Sequence, residues 1–483
     1  MRRTTFPTWR WLLVLLIGVG FALRLYLLTA PNLNLDETWS YINSFYIAHP
    51  LPNVALTQIL LPEPNNALHL VLAGLTLKIL DGAFAIRWLS VMVGTVSIAL
   101  AARIAYRLYG RKAAVITALI VALAYAPVTY AQVARPYALA TFLALLSLLL
   151  WIEQRGRLNM IVSTLVPLAH IGAMPVIFLQ DALTLWRIFQ RKPVNKPDWI
   201  IRRIPPYAAF LLIVYMVYMR RAAHVMSSGQ SAPSPVELIS QMLNLIVSGF
   251  PALTVTTILF LVGVVLPILV LVIVRWRGSP KNLHIPLLWL IVTYGMLIAG
   301  AVLSDGPIKW MHITHVAIAL ALILSAVSAR APRIVMIGIA GAFILSSASS
   351  LVTYYRAPDR YWSDIAESLA PISGDAPIYV QQQTVLWALQ VNNPAMSVFQ
   401  LYPEAESRPA HYFYVEMLGW SPSAPPECSP DPIWQNDSGL RMLDCMSSLN
   451  SGSTVSHRVE CGRYALSCRS QFRCIRDSGR TGE

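Results

Sequence analysis

For most of its first 352 residues this chain is hydrocarbon, interrupted at short intervals by basic clusters and almost free of acid. Only nine of the 23 acidic residues precede residue 353. That pattern excludes a soluble globule. The chain is 56% hydrophobic and 12% charged, with a mean hydropathy of +0.56, whereas a soluble domain carries roughly 25% charged residues. Such a chain folds as helices that satisfy their own backbone groups across a bilayer. Apolar segments predict spans at about 11–29, 87–108, 113–127, 136–152, 158–175, 176–189, 204–219, 251–274, 284–303, 311–328 and 333–352.

The basic residues test that set. Loops on one side hold Arg2, Arg3 and Arg10; Arg103, Arg107, Arg111 and Lys112; Arg155 and Arg157; Arg187 through Arg203; Arg275, Arg277 and Lys281; and Arg330 and Arg333. The remaining basic residues of the region are Arg24, Lys78, Arg87, Arg135, Arg220, Arg221 and Lys309. The positive-inside rule therefore predicts a cytoplasmic N-terminus, an external C-terminus and about eleven crossings. The net charge of +14 is dispersed through these loops, a pattern of topology and not of nucleic-acid binding. The same bookkeeping decides Asn66 to Leu80. Counting it as a span would carry the Arg103–Lys112 cluster outside, so it is expected to be a juxtamembrane or re-entrant helix packed against protein. The first external segment, 30–86, is then long and structured. The first span is expected to be an uncleaved helix, because Arg24 interrupts its apolar core and no small-residue cleavage site follows.

From about Tyr354 the composition changes. An amphipathic helix over Tyr361–Leu369, strands over Ala376–Val380 and His411–Val415, and a helix over Thr384–Val391 predict a small external α/β domain at 353–420. Residues 421–483, rich in Ser, Pro and Gly, form an irregular tail. All five cysteines (Cys428, Cys445, Cys461, Cys468, Cys474) fall in the last 56 residues, on the side where disulfides persist, and none has zinc-type spacing.

The few polar residues near the external ends of spans are the candidates for chemistry. Asp36-Glu37 follows the first span directly. Acids favour helix N-termini, yet an aspartate at the membrane surface also suits proton removal from an acceptor hydroxyl. Glu63, Asn65, Asn66 and His69 lie at the start of the re-entrant segment, where Asn66 and His69 share a helical face. They are candidates for contact with a sugar, or for capping a broken helix. A divalent cation is the one cofactor these residues admit, with Asp36, Glu63 and His69 as candidate ligands. In Gln132-Val133-Ala134-Arg135-Pro136-Tyr137, Arg135 stands outside the cytoplasmic belt, and its guanidinium suits a phosphate or carboxylate. His170 sits at an external turn, and Lys309-Trp310-Met311-His312-Ile313-Thr314-His315 opens a later span. Asp181 lies inside a short span with no partner evident.

In this order these residues resemble the polytopic GT-C glycosyltransferases, in particular the family 39 type of protein O-mannosyltransferases, lipid A aminoarabinose transferases and their bacterial relatives. The resemblance runs through Leu35-Asp36-Glu37, Ala85-Ile86-Arg87-Trp88-Leu89-Ser90, Arg107-Leu108-Tyr109-Gly110-Arg111-Lys112 and Gln132-Val133-Ala134-Arg135-Pro136-Tyr137. It implies an α-helical GT-C membrane domain over 1–352, in a bacterial inner membrane. It also implies a polyprenyl-phosphate-linked sugar as donor, and a lipid, glycan or protein acceptor on the periplasmic face. Asp36 and Glu37 would then be catalytic, Arg135 and Lys309 would bind the donor phosphate, and Tyr137, Asn66, His69, His170 and His312 would contact substrate. Two departures are evident. Relatives carry His- or Lys-Pro-Pro-Leu where this chain has Glu63-Pro64-Asn65-Asn66, and often a glutamate where Val133 stands. The other classes consistent with many spans are a lipid-linked sugar flippase and a non-catalytic assembly partner, but no repeated halves of the transporter kind are visible.

Overall fold

The computed structural model describes residues 8–50, 56–60, 63–223, 282–304 and 315–356, and short pieces between 364 and 446. The chain divides into two compact units, one of residues 1–28 and 43–357, the other of residues 29–42 and 358–483.

The first unit is helical. Its elements are α1 (Thr8–Leu25), the last turns of α2 (Leu35–Ala48), α3 (Leu56–Leu60), α4 (Ala67–Leu77), α5 (Gly82–Tyr109), α6 (Arg111–Leu123), α7 (Tyr125–Thr129), α8 (Tyr137–Ile152), α9 (Gly156–Ala169), α10 (Pro175–Phe189), α11 (Lys196–Ala223), α12 (His284–Ser304), α13 (Val316–Ser328) and α14 (Arg333–Arg356). Among the described residues, four stretches are long and apolar enough to cross a membrane: Gly82–Tyr109, Ile171–Phe189, Lys196–Val217 and Ile334–Arg356. Tyr137–Ile152, His284–Met296 and Val316–Ser328 are shorter apolar helices. The protein is a multi-pass membrane protein. The expected span 251–274 lies outside the described residues.

α5 is the hub, packing against α1, α4, α6 and α8. Its contact faces are built of alanine: Ala101, Ala102 and Ala105 meet a core that includes Ala113, Ala118 and Ala122 of α6 and Ala140 and Ala144 of α8. Small side chains let helix backbones approach closely where no hydrophobic drive separates protein from lipid. The outward faces are as apolar as the core, with Trp11, Leu15, Leu211, Tyr215, Ile334 and Leu345 all exposed. α5 and α6 are separated by Gly110 alone, at φ 92°, a left-handed conformation that glycine adopts without steric cost.

Two buried arginines close helix ends. Arg24, fully buried in α1, donates from Nη2 to Val121 O (2.9 Å) and from Nη1 to Ala122 O (3.3 Å) and to Gly20 O (2.8 Å). Val121 and Ala122 stand in the last turn of α6, whose carbonyls have no intrahelical partner, and a cation there also meets the negative end of the helix dipole. Arg87 donates to Leu28 O (2.7 Å), just past α1. Asp181 of α10 finds its partner in Arg203. The Arg203 Nε–Asp181 Oδ1 distance is 2.5 Å, and Trp199 Nε1 and Tyr207 OH also donate to the carboxylate, at 3.1 and 2.7 Å. The charge pattern predicts a cytoplasmic loop for Arg203. It lies instead within α11, which starts at Lys196 and not near 204, because its first turns are amphipathic and the hydropathy signal begins only later.

The short helix α4 falls on the segment from Asn66 that was expected to pack against protein, and it packs on α5 and α9. The 3₁₀ turn Pro64–Asn66 leads into it, and Gly74 packs so closely on α2 that an added Cβ would lie 2.9 Å from Ser44 O and from Ile47 Cγ2.

In the second unit a five-stranded sheet has the order β2-β1-β3-β5-β4, with β1 Ile378–Val380, β2 Val398–Gln400, β3 His411–Met417, β4 Trp434–Gln435 and β5 Leu440–Met446. β1 runs parallel to β2 and β3, while β3 and β5 pair antiparallel from His411↔Met446 to Met417↔Leu440. Strands β4 and β5 lie beyond residue 420, where an irregular tail was expected. Leu440-Arg-Met-Leu-Asp-Cys-Met has no clean alternation, and what specifies it is pairing along all of β3, a non-local effect. Among the cysteines, Cys445 lies in β5; the others lie outside the described residues.

Candidate functional site

The acidic pair belongs to the second unit. α2 begins at Leu35, and its start is a reciprocal capping box. Asn34 Oδ1 accepts from Glu37 N–H (2.8 Å), and Glu37 Oε2 accepts from Asn34 N–H (3.3 Å). Glu37 is buried at 2% exposure and Asp36, on the same turn, is exposed. The capping role that the sequence offered to both acids therefore falls on Glu37. Asp36 presents its carboxyl in the first turn of the helix, and its backbone carbonyl accepts from Ser40 Oγ (3.1 Å).

The first unit holds a polar cluster made by three connecting segments: the turn before α4, the α7–α8 loop, and the α9–α10 turn. Arg135 is fixed in a tight turn, its N–H donating to Val133 O (2.8 Å) one residue before Pro136. Its Nη1 donates to both oxygens of Glu63, at 3.3 and 3.1 Å, and neither side chain is more than 18% exposed. Asn66 Nδ2 donates to the same carboxylate (2.8 Å), and its N–H closes the turn on Glu63 O (2.9 Å). Asn65 Oδ1 accepts from Ile171 N–H (2.8 Å), tying this turn to the α9–α10 connection. There His170 accepts from Gly172 N–H at Nδ1 (3.0 Å) and packs edgewise on Tyr137, the ring centres 5.6 Å apart. Nearby, Gln132 donates from its amide to the carbonyls of Arg24 (3.1 Å) and Tyr26 (2.8 Å), which fixes the loop carrying Arg135 onto the end of α1.

One turn beyond Asn66, His69 is fully buried, and neither ring nitrogen has a hydrogen-bond partner among the described residues; Asn66 Oδ1 is unpartnered too. Burial, and then the charge of Arg135, push the His69 pKa down to about 3, so its ring is neutral at physiological pH. A neutral imidazole offers one donor and one acceptor.

Of the expected site residues, the structure brings together Glu63, Asn66 and Arg135, with His69 beside them, and pairs Tyr137 with His170. Asp36 and Glu37 are in the other unit, and Lys309 and His312 lie outside the described residues. Among the described residues no group of three or more His, Cys, Asp or Glu side chains gathers that could hold a metal ion. The carboxylate of Glu63, one of the candidate ligands, is engaged by Arg135 and Asn66. The Glu63–Arg135 pair itself was not foreseen. Its signal was available: a lone acid and a lone base, each without an oppositely charged residue nearby in the sequence.

No protein-family model and no curated protein matches the sequence. Solved structures do. ArnT from Cupriavidus metallidurans in the apo state matches with a TM-score of 0.56 at 12% identity, covering 89% of this chain and 97% of that one. The same protein bound to undecaprenyl phosphate matches at 0.57 and 11% identity, covering 91% and 99%. At that identity the likeness concerns the fold, and it spans nearly the whole of both chains. This protein has the GT-C membrane fold.

Proposed function

We propose that this protein is a membrane glycosyltransferase that moves a sugar from a polyprenyl-phosphate donor to a lipid, glycan or protein acceptor. The observation that carries the reading is the match to ArnT over nearly the full length of both chains, one matching structure being that of ArnT bound to undecaprenyl phosphate. The reaction would lie on the periplasmic face of a bacterial inner membrane, with the N-terminus cytoplasmic, as the distribution of basic residues predicts.

In this reading Asp36 is the general base. As the acceptor hydroxyl attacks the anomeric carbon, its proton passes to the Asp36 carboxylate. The bond from that carbon to the phosphate oxygen breaks with its electron pair, and the polyprenyl phosphate leaves. Cationic side chains stabilise the departing phosphate, and Arg135 and Lys309 are assigned that part. Glu37 supports Asp36 by holding the first turn of α2. Asn66, His69, Tyr137, His170 and His312 are assigned to the sugar and acceptor.

The test is the lipid that accompanies the purified protein. Mass spectrometry of extracts from the full chain should find a polyprenyl phosphate carrying a sugar. Recovery of bulk phospholipid alone, together with failure of added polyprenyl-phosphate sugars to bind, would overturn the reading.

A further inference from the structure

We propose that Glu63 is a built-in counter-anion, occupying the guanidinium of Arg135 until a phosphate headgroup displaces it, and so setting the affinity for the lipid donor. This rests on the donor class proposed above.

Three observations converge. First, both Glu63 oxygens accept from the same Arg135 nitrogen, at 3.3 and 3.1 Å. Carboxylate and phosphate are the two anions that guanidinium binds best, so the two compete for one donor group. Second, the carboxylate is held from its other side by Asn66 Nδ2 at 2.8 Å, which keeps an anchor for Glu63 once Arg135 is taken. Third, the cluster has unspent capacity beside that pair. Asn66 Oδ1 and both His69 nitrogens are buried without partners among the described residues, and leaving such groups unmade is costly. A phosphate bearing a sugar supplies what they lack: acceptor oxygens for an imidazole N–H, and hydroxyls for a carbonyl oxygen and an imidazole nitrogen.

If the ion pair holds Arg135 for about nine-tenths of the time, apparent affinity falls by the fraction left competent, roughly tenfold. The measurement is titration of undecaprenyl phosphate into the full chain in phosphatidylcholine nanodiscs, with wild type, Glu63→Gln, Arg135→Gln and the double variant. Glu63→Gln should bind roughly tenfold more tightly than wild type. Arg135→Gln should bind more weakly, and adding Glu63→Gln to it should gain nothing. Equal or weaker binding by Glu63→Gln overturns the proposal, as does a gain that persists without Arg135, or no binding by any form. If the variants misfold, hydrogen exchange in the wild type decides. Undecaprenyl phosphate, but not uncharged undecaprenol, should change deuterium uptake across residues 63–69, and unchanged uptake refutes the exchange. Sugar transfer enters neither arm, so the competition and the transferase reading can fail separately.

Discussion

Neutralising Asp181 should destabilise the protein by about 3–5 kcal/mol, the usual cost of stranding one member of a buried ion pair. The argument starts from exposure. The side chains of Asp181 and Arg203 are 11% and 8% exposed, and the pair joins two helices that are each apolar enough to span a bilayer. In Asp181→Asn the Trp199 and Tyr207 donors still find an oxygen, but the Arg203 charge keeps only neutral partners, Gln180 Oε1 at 2.9 Å and Asn159 Oδ1 at 3.4 Å. An ordinary neutral hydrogen bond between membrane helices is worth about 0.6 kcal/mol, rarely above 1.7, so the two outcomes are well separated. In the double variant Asp181→Asn/Arg203→Met no charge remains to be stranded, and its loss should be smaller than the sum of the single losses by at least ~2 kcal/mol. Thermal unfolding of the purified full chain in detergent, with the double-mutant cycle, reads this as a fall of several degrees for each single variant. A loss under about 1 kcal/mol for Asp181→Asn, or additive losses, would refute the claim that a desolvated charge pair fastens α10 to α11.

The other expectations are briefer. Gly74→Ala places a Cβ 2.9 Å from the Ser44 carbonyl oxygen; the overpacking should cost about 1–3 kcal/mol and misplace the turn before α4, read as lower Tm and weaker lipid binding. Glu37→Ala removes half of a capping box and should cost about 1 kcal/mol in thermal stability, whereas Asp36→Asn should leave stability nearly unchanged. Glu153, outside the spans, is held below the usual carboxylate range, first by the hydrogen bond from Arg107 and then by Arg103. A lowered folded-state pKa gives stability that is full above the unfolded value and is lost as pH falls through the folded one. Unfolding measured from pH 5 to pH 3 should therefore show a small acid-dependent loss, under about 1 kcal/mol for so accessible a group, that Glu153→Gln lacks.

What the sequence made legible was what composition and period carry. The segments 136–152, 176–189 and 284–303 became helices within a few residues, because each is apolar throughout and bounded by polar turns. A short helix packed against protein was legible from Asn66 onward, because charge bookkeeping left no span there. What escaped were side-chain partnerships between distant segments. Asp181 and Arg203 sit on neighbouring helices, and nothing local tells that Arg203 lies within a helix. Glu63 and Arg135 are 72 positions apart, and their meeting depends on how the turn before α4 lies against the α7–α8 loop. Asn34-Leu-Asp-Glu37 did carry a local signal, a capping box, that separates the two acids by role. β5 was missed because its specification lies in β3.

The central claim is that the Asp36 carboxylate does chemistry while its neighbour does structure. The most direct test is single-turnover sugar transfer from a polyprenyl-phosphate donor by the purified full chain carrying Asp36→Asn, with donor binding measured in the same preparation. The account predicts unchanged donor binding and a transfer rate lowered by about 10²-fold or more, the least expected for loss of a general base. Wild-type transfer by a folded, donor-binding Asp36→Asn protein would contradict it.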